Sequence, residues 1–513
     1  MKLKSKINSI NILDIIFLAI IVVLCLIFSY INLFQYKSGI NSDVAAESLL
    51  AREIWETKQW IPSTWYASTE TRVISTATWS ALIYGLTQNL SLSMGLGCIV
   101  GMIFLLACEA YLAKELGLDK TTTLLFMVLC LLLVNSMGEL QMLYLHAGYY
   151  VCHLGVLLWS LGCYVRLLGG QRGKIGFGIL NYLFHFLLAC QGSRAILMIS
   201  GPLFGMEIVR RMYDFYKTRK IDKKDNYITI SVFATLIIGY LGSKLPFSVG
   251  QPLFIKIRNA PTKFVEQIIP HFLDTIWWKY LSEIEKIVML VCLIFVMSYV
   301  TIIVIKGIQK REIETLEWVF LTCVLSLVLT ALALTFTNVE SANRYYILVF
   351  FCIAFALILM WKKNHFYKGI VMTIVVITFV GNCIRVYVPM MRNEIYPESS
   401  TIQVAEYLEA QGYEYGYTTF EHANYMTVAV DGRVQVSAVN SMETMEICKW
   451  LTSETWYVPN VPYESKTAYI VTEGNLDSFQ KFYKQHEDEI VFDTQIGIYH
   501  IFGSDYNYST LGY

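Results

Sequence analysis

The sequence predicts a polytopic α-helical membrane protein with about eleven spans and a small extracytoplasmic α/β domain at its C-terminus. Three observations predict it. Of the 513 residues, 55% are hydrophobic and only 16% charged, well below the quarter expected of a soluble globular chain. Eleven apolar runs are long enough to cross about 30 Å of hydrocarbon. From residue 395 onward tyrosine, acidic and amide residues rise, and no run can span a bilayer.

The runs lie at 12–34, 90–113, 121–137, 149–168, 175–191, 195–210, 227–245, 286–305, 316–336, 345–361 and 369–388. Those at 175–191 and 195–210 are short and joined by the tight link CQGSRA, so two full spans and a re-entrant pair both remain open. Lys and Arg concentrate in alternate loops: Lys2, Lys4 and Lys6; Lys114 and Lys120; Arg166, Arg172 and Lys174; the run from Arg210 to Lys224; Lys306, Lys310 and Arg311; Lys362, Lys363 and Lys368. By the positive-inside rule these loops are cytoplasmic. An odd number of spans then puts residues 392–513 outside, as a domain separate from the membrane part, 1–391. The first run has a basic flank and no AxA-like cleavage site, which marks a retained anchor.

Forty basic residues balance forty acidic ones, so net charge does not point to nucleic acid. Of twelve cysteines only Cys448 falls in the polar tail, so no disulfide framework can be built there. With no CxxC pair, the cysteines read as small buried hydrophobes.

The external loops are too polar for simple connectors. The first, 35–75, holds a helical segment from Asp43 to about Thr57 with apolar Ala46, Leu49, Leu50 and Ile54. Asp43 and Glu47, four apart, share one face. Trp55, Trp60, Trp65 and Tyr66 suit the headgroup level. In ELQMLYLHAGYYVCHLG, His146, Tyr149, Tyr150 and His153 stand at the mouth of the fourth run, the two histidines seven apart and facing alike. Arg194 sits in CQGSRA, and Arg344 in TNVESANRYY where the chain re-enters the membrane. The stretch TKFVEQIIPHFLDTIWWKY suits the bilayer surface.

Carboxylates, arginines and aromatic rings at one membrane face fit a lipid-linked anionic substrate. Arginine's planar fork binds two phosphate oxygens and stays charged, and a carboxylate beside an acceptor hydroxyl takes its proton as the sugar bond forms. Charge near hydrocarbon is costly, which favours a functional reason for it. Each residue also has a plain structural reading. Asp43 suits a helix N-cap, and Glu47 a surface pair with Arg52 or Lys37. Arg194 and Arg344 suit interfacial anchoring, and Arg72 stands at the end of the first loop. His146 and His153 suit satisfied positions in the bundle, since a metal would need a third ligand.

The segments SDVAAESLLAREIWETKQWIPSTWYASTETRVIST, HAGYYVCHLGVLLWSLG, NRYY and EYLEAQGYEYGYTTFEHANYMTVAVDGRVQV carry a family likeness. Through them the chain resembles the GT-C superfamily of integral membrane glycosyltransferases, which includes protein O-mannosyltransferases and aminoarabinose transferases, and also bacterial glycosyltransferase-like membrane proteins. The resemblance implies transfer of a sugar from a polyprenyl-phosphate donor to an extracytoplasmic glycan, lipid or protein, with inversion and with Asp43 as the base. Glu47, Arg72, His146, Tyr149, His153, Arg194 and Arg344 are then the candidate substrate-binding residues. Protein O-mannosyltransferases have adjacent Asp and Glu in the first loop, whereas here Val44 follows Asp43. No DxD triplet supports a nucleotide-sugar site; a divalent cation stays open and no cofactor is assigned. The rival reading is a transporter or lipid-linked sugar flippase without covalent chemistry, which would favour internal hydropathy repeats.

In the tail, a helix near 399–410 precedes strand-like segments at 413–419, 433–439, 467–472 and 490–502, with helical stretches near 421–430, 441–452 and 475–485 between them. That alternation predicts a small α/β domain. It shows no Gly-rich phosphate loop or catalytic triad, so position alone assigns it acceptor recognition or a lid. HEDE from His486 reads as a solvated turn.

Overall fold

A computed structural model describes residues 11–68, 70–134, 137–170, 175–220, 225–245, 254–276, 281–363, 367–394 and 399–509. Of the residues used above, Lys2, Lys4, Lys6, Arg172, Lys174, Lys223, Lys224 and the end of the surface stretch from Trp277 to Tyr280 lie outside this set. In chain order the helices begin with α1 (Ile12–Phe34), α2 (Ser42–Thr57), α3 (Thr76–Thr87), α4 (Leu90–Glu115), α5 (Lys120–Leu133) and α6 (Met137–Leu143). They continue with α7 (Val151–Leu168), α8 (Ile175–Ala189), α9 (Gly201–Thr218), α10 (Asn226–Gly242), α11 (Ala260–Lys263) and α12 (Ile269–Ile276). Four apolar helices follow, α13 (Glu283–Ile308), α14 (Thr315–Phe336), α15 (Leu348–Lys363) and α16 (Lys368–Met391), and then α17 (Ser400–Ala410), α18 (Phe420–Ala429) and α19 (Leu476–Tyr483).

The chain is a multi-pass helical membrane protein. Among the described residues, seven helical stretches are long and apolar enough to cross a bilayer: α1, α4, α7, α13, α14, Asn343–Lys363 and α16. Three more, α5, Gly178–Ala189 and α10, are apolar but shorter. The run expected at 195–210 differs. It begins as a π-helical turn, Ile196–Ser200, and continues as α9, which carries Glu207, Arg210, Arg211 and Asp214. Buried Glu207 takes two bonds from Arg210, at 2.8 and 2.9 Å, and others from the Tyr164 and Thr229 hydroxyls, at 2.8 Å each. Charges spaced along the helix make it amphipathic, which a running average of hydropathy cannot detect.

The chain forms two compact units. The first, Met1–Ile27, Gly101–Leu143 and Tyr149–Val388, is a helix bundle in which α14 packs on α9 and α15, α8 on α7 and α10, and α15 on α5 and α13. At helix ends some of its basic residues meet carboxylates: Arg166 meets Glu115 at 3.5 Å, and Lys306 meets Glu317 at 2.8 Å with Lys363 joining the same oxygen.

The second unit comprises Phe28–Val100, Tyr144–Gly148 and Pro389–Tyr513, so the first polar loop belongs to the same unit as the tail. Its strands are β1 (Trp65–Tyr66), β2 (Tyr415–Thr419), β3 (Gln435–Val439), β4 (Thr452–Ser453), β5 (Glu464–Thr472), β6 (Val491–Ile496) and β7 (Tyr499–Tyr506). The main sheet runs β3-β2-β5-β7-β6, parallel through β3, β2 and β5 and antiparallel from β5 to β6. A second sheet pairs β1 with β4, Trp65 opposite Ser453 and Tyr66 opposite Thr452.

Two tail expectations are corrected. No helix forms over 441–452, where Met445 and Leu451 take positive φ and Ile447 bridges back to Val439. The single strand expected at 490–502 is the hairpin β6–β7, turned at Gly497 with φ 57°, a backbone state that glycine adopts at little cost.

Helix α2 forms for readable reasons. Asn41 caps it, its side-chain oxygen accepting from the Val44 amide at 3.0 Å, and Ala46, Leu49, Leu50 and Ile54 are buried as the spacing requires. The helix packs against α3 and α18. Asn41→Ala should therefore cost about 1 kcal/mol of stability, read as a lowered melting temperature.

Candidate functional site

The eight sequence candidates divide between the units: Asp43, Glu47, Arg72 and His146 in the second, Tyr149, His153, Arg194 and Arg344 in the first.

In the second unit Asp43 lies in the first turn of α2 and is exposed. The capping role belongs to Asn41, so the plain reading of Asp43 as the N-cap is replaced. Its backbone is held in place: the Ser42 carbonyl accepts from Asn424 Nδ2 at 3.5 Å, and Ser42 Oγ accepts from the Tyr425 amide at 3.4 Å. One turn on, Glu47 is 2% exposed. Its Oε1 accepts from Arg72 Nε at 2.8 Å, while Arg72 Nη1 also reaches Glu70 at 3.2 Å. Glu47 Oε2 has no hydrogen-bond partner among the described residues.

The partners that a surface reading would give Glu47 are engaged elsewhere. Lys37 donates to Asp431 at 2.7 Å and to the Ala429 carbonyl at 2.8 Å, and Arg52 donates to Gln435 at 2.5 Å. All three bonds join the first loop to the tail. Glu53 does the same, accepting from Thr64 Oγ1 at 2.5 Å and from Ser453 Oγ at 2.7 Å.

His146 is fully buried with φ 58°, in a loop before α7 begins at Val151. The expectation that it shares a helical face with His153 is thereby corrected, since the seven-residue spacing is interrupted by a non-helical turn. Asn32 holds this loop twice, accepting from the His146 amide at 2.8 Å and donating to the Tyr144 carbonyl at 2.8 Å. The imidazole lies on Gly39, where an added Cβ would come within 2.3 Å of Nε2, and neither ring nitrogen has a partner among the described residues. Burial pushes its pKa down to about 3, so the ring is neutral and adds no charge toward a phosphate. Because this folded value lies below the ordinary 6.5, protons favour the unfolded chain as pH falls from about 6.5 toward 3. His146→Gln should therefore make the melting temperature fall less steeply with acid across that window.

In the first unit two arginines gather on tyrosine rings. Arg194 Cζ stands 4.8 Å from the Tyr150 ring centre and 5.2 Å from that of Tyr345, and Arg344 Cζ stands 5.5 Å from Tyr345. Arg344 lies in the 3-10 turn Asn343–Tyr346 and is exposed. No carboxylate among the described residues forms an ion pair with it, in contrast to Arg166, Arg210, Lys306 and Lys363 of the same unit. His153 is 2% exposed, its ring 5.8 Å from Tyr150, and Tyr149 is half-buried. Tyr345 is held by a small core in which Ile268, Leu334 and Tyr346 pack with Phe272.

Among the described residues, no group of three His, Cys, Asp or Glu side chains is placed to hold a metal ion.

No family model and no curated protein matches the sequence. Solved structures similar to the chain include the following two. The apo oligosaccharyltransferase of Archaeoglobus fulgidus is 11% identical at a TM-score of 0.47, over 93% of this chain and 73% of its own. ArnT from Cupriavidus metallidurans, solved with undecaprenyl phosphate bound, is 11% identical at a TM-score of 0.44, over 95% of this chain and 97% of its own. At such identities and scores the chemistry has to be argued from the chain's own residues.

The structure brings Glu47 to Arg72, and Arg194 to Arg344 through a shared ring. Sequence reasoning did not single out Tyr345, although its place in NRYY beside Arg344 was visible. Nor could spacing alone reveal that Glu47 is buried, because α2 is covered on nearly every side.

Proposed function

We propose that the chain is a GT-C type membrane glycosyltransferase that moves a sugar from a polyprenyl-phosphate donor to an acceptor hydroxyl or amine, with inversion. The acceptor atom attacks the anomeric carbon, the carbon–oxygen bond to phosphate breaks, and polyprenyl phosphate leaves. Asp43 takes the acceptor's proton. Arg344, with Arg194, holds the phosphate whose charge grows as the bond breaks. The positive-inside distribution of the basic loops supports an extracytoplasmic position for these residues.

One observation supports this reading above the rest: an exposed arginine at a membrane-helix end, set on a tyrosine and in no ion pair among the described residues, whereas Arg166, Arg210, Lys306 and Lys363 of the same unit meet carboxylates. A cation left in that state is ready for an anionic ligand. Loss of one charge-assisted hydrogen bond costs about 1.5–3 kcal/mol, so Arg344→Ala should raise KM for the lipid-linked donor roughly 10- to 100-fold, with Arg344→Lys in between. The assay uses purified full-length protein, a defined polyprenyl-phosphate sugar and detection of the covalent product. Movement of the donor across a bilayer with no covalent product would instead support a flippase.

A further inference from the structure

Helix α9 carries a stripe of apolar side chains that stay exposed among the described residues. Ile208, Val209, Met212, Phe215 and Tyr216 are 37%, 48%, 66%, 45% and 43% exposed, and their spacing sets them along one side of the helix. The stripe ends among cations. Lys217, Arg219 and Lys220 are exposed just beyond it, and the connection between α13 and α14 adds exposed Lys310 and Arg311. That connection is fastened to α9: Lys310 Nζ lies 4.6 Å from the Tyr216 ring centre, and the Tyr213 hydroxyl donates to the Arg311 carbonyl.

None of these five cations forms an ion pair among the described residues. The carboxylates nearby are engaged: Asp214 accepts from Arg210 at 2.9 Å, and Asp225 from Arg210 at 3.0 Å and Arg211 at 3.5 Å. Glu312, beside Tyr213, is the exposed acid there. An apolar stripe that meets a cluster of unneutralised lysines and arginines has the chemistry of an acyl chain below an anionic headgroup.

We propose that α9 and the α13–α14 connection form a binding site for an anionic phospholipid. Its acyl chain lies along Ile208, Met212 and Phe215, and its phosphate sits between Lys217 and Lys310. The site is independent of the sugar-transfer reading, since neither Asp43 nor the arginines on tyrosine take part.

The test is native mass spectrometry of the full-length protein, titrated with phosphatidylglycerol or with phosphatidylcholine of the same chain length. Phosphatidylglycerol should bind more tightly, and each cation removed should weaken it roughly fivefold. Lys217→Gln with Lys310→Gln should therefore lose most of the preference, whereas Lys449→Gln with Lys484→Gln, in the tail, should keep it. Equal binding of the two lipids by the parent protein would overturn the proposal, as would equal losses in the two double variants.

Discussion

Asp43→Asn should lower kcat for sugar transfer by about 100- to 10,000-fold, the range that a positioned general base contributes, and leave the fold in place. The amide keeps the size and hydrogen-bonding shape of the carboxylate but cannot take a proton. Stability should change little, because Asp43 is exposed and the cap on α2 is Asn41. Removing an acid from the first turn of a helix costs about 0.3–1 kcal/mol through the helix dipole. KM for the donor should stay near its parent value, since Asp43 acts on the acceptor. A folded variant that transfers sugar at the parent rate would remove Asp43 from the mechanism.

Glu47→Ala should destabilise the protein by about 3 kcal/mol, near the lower end of the cost of breaking a buried ion pair. The Glu47 side chain is 3% exposed and that of Arg72 15% exposed, so removing the acid leaves a guanidinium largely out of water. Glu70, at 3.2 Å, compensates for part of the charge, which is why the lower end is expected. Glu47→Gln should cost less, and Glu47→Met with Arg72→Met should recover much of the loss, because no lone charge remains. Thermal melts of the three variants check this. If Glu47→Ala instead left the melting temperature unchanged and only raised KM, Glu47 would be a substrate contact and the pair would matter little to the fold.

The parts of this molecule legible from sequence are those set by local periodicity. Ala46, Leu49, Leu50 and Ile54 marked the buried side of α2 because helical spacing is a local property. The strands near 415, 435 and 467 were visible for the same reason. Where a single backbone angle decides, the reading failed: Gly497 makes two strands of one, and positive φ at Met445 and Leu451 removes a helix. Long-range partners were out of reach as well. Nothing in the local sequence ties Lys37 to Asp431, and Glu47 looked like a surface acid until α3 and α18 were seen to cover its helix. The arginines were found by their charge, but the ring that gathers them depends on how distant segments fold.

The small sheet made by β1 and β4 has a consequence for how the chain is made. Ser453 and Glu53, which bond beside it, are 400 residues apart. At about 5–20 residues per second, the ribosome takes roughly 20 to 80 s to supply the second partner after the first has emerged. During that interval the segment around Trp65 has neither its strand partner nor α18. Protease added to stalled nascent chains should therefore cut it until residues near 453 have been released, and spare it afterwards.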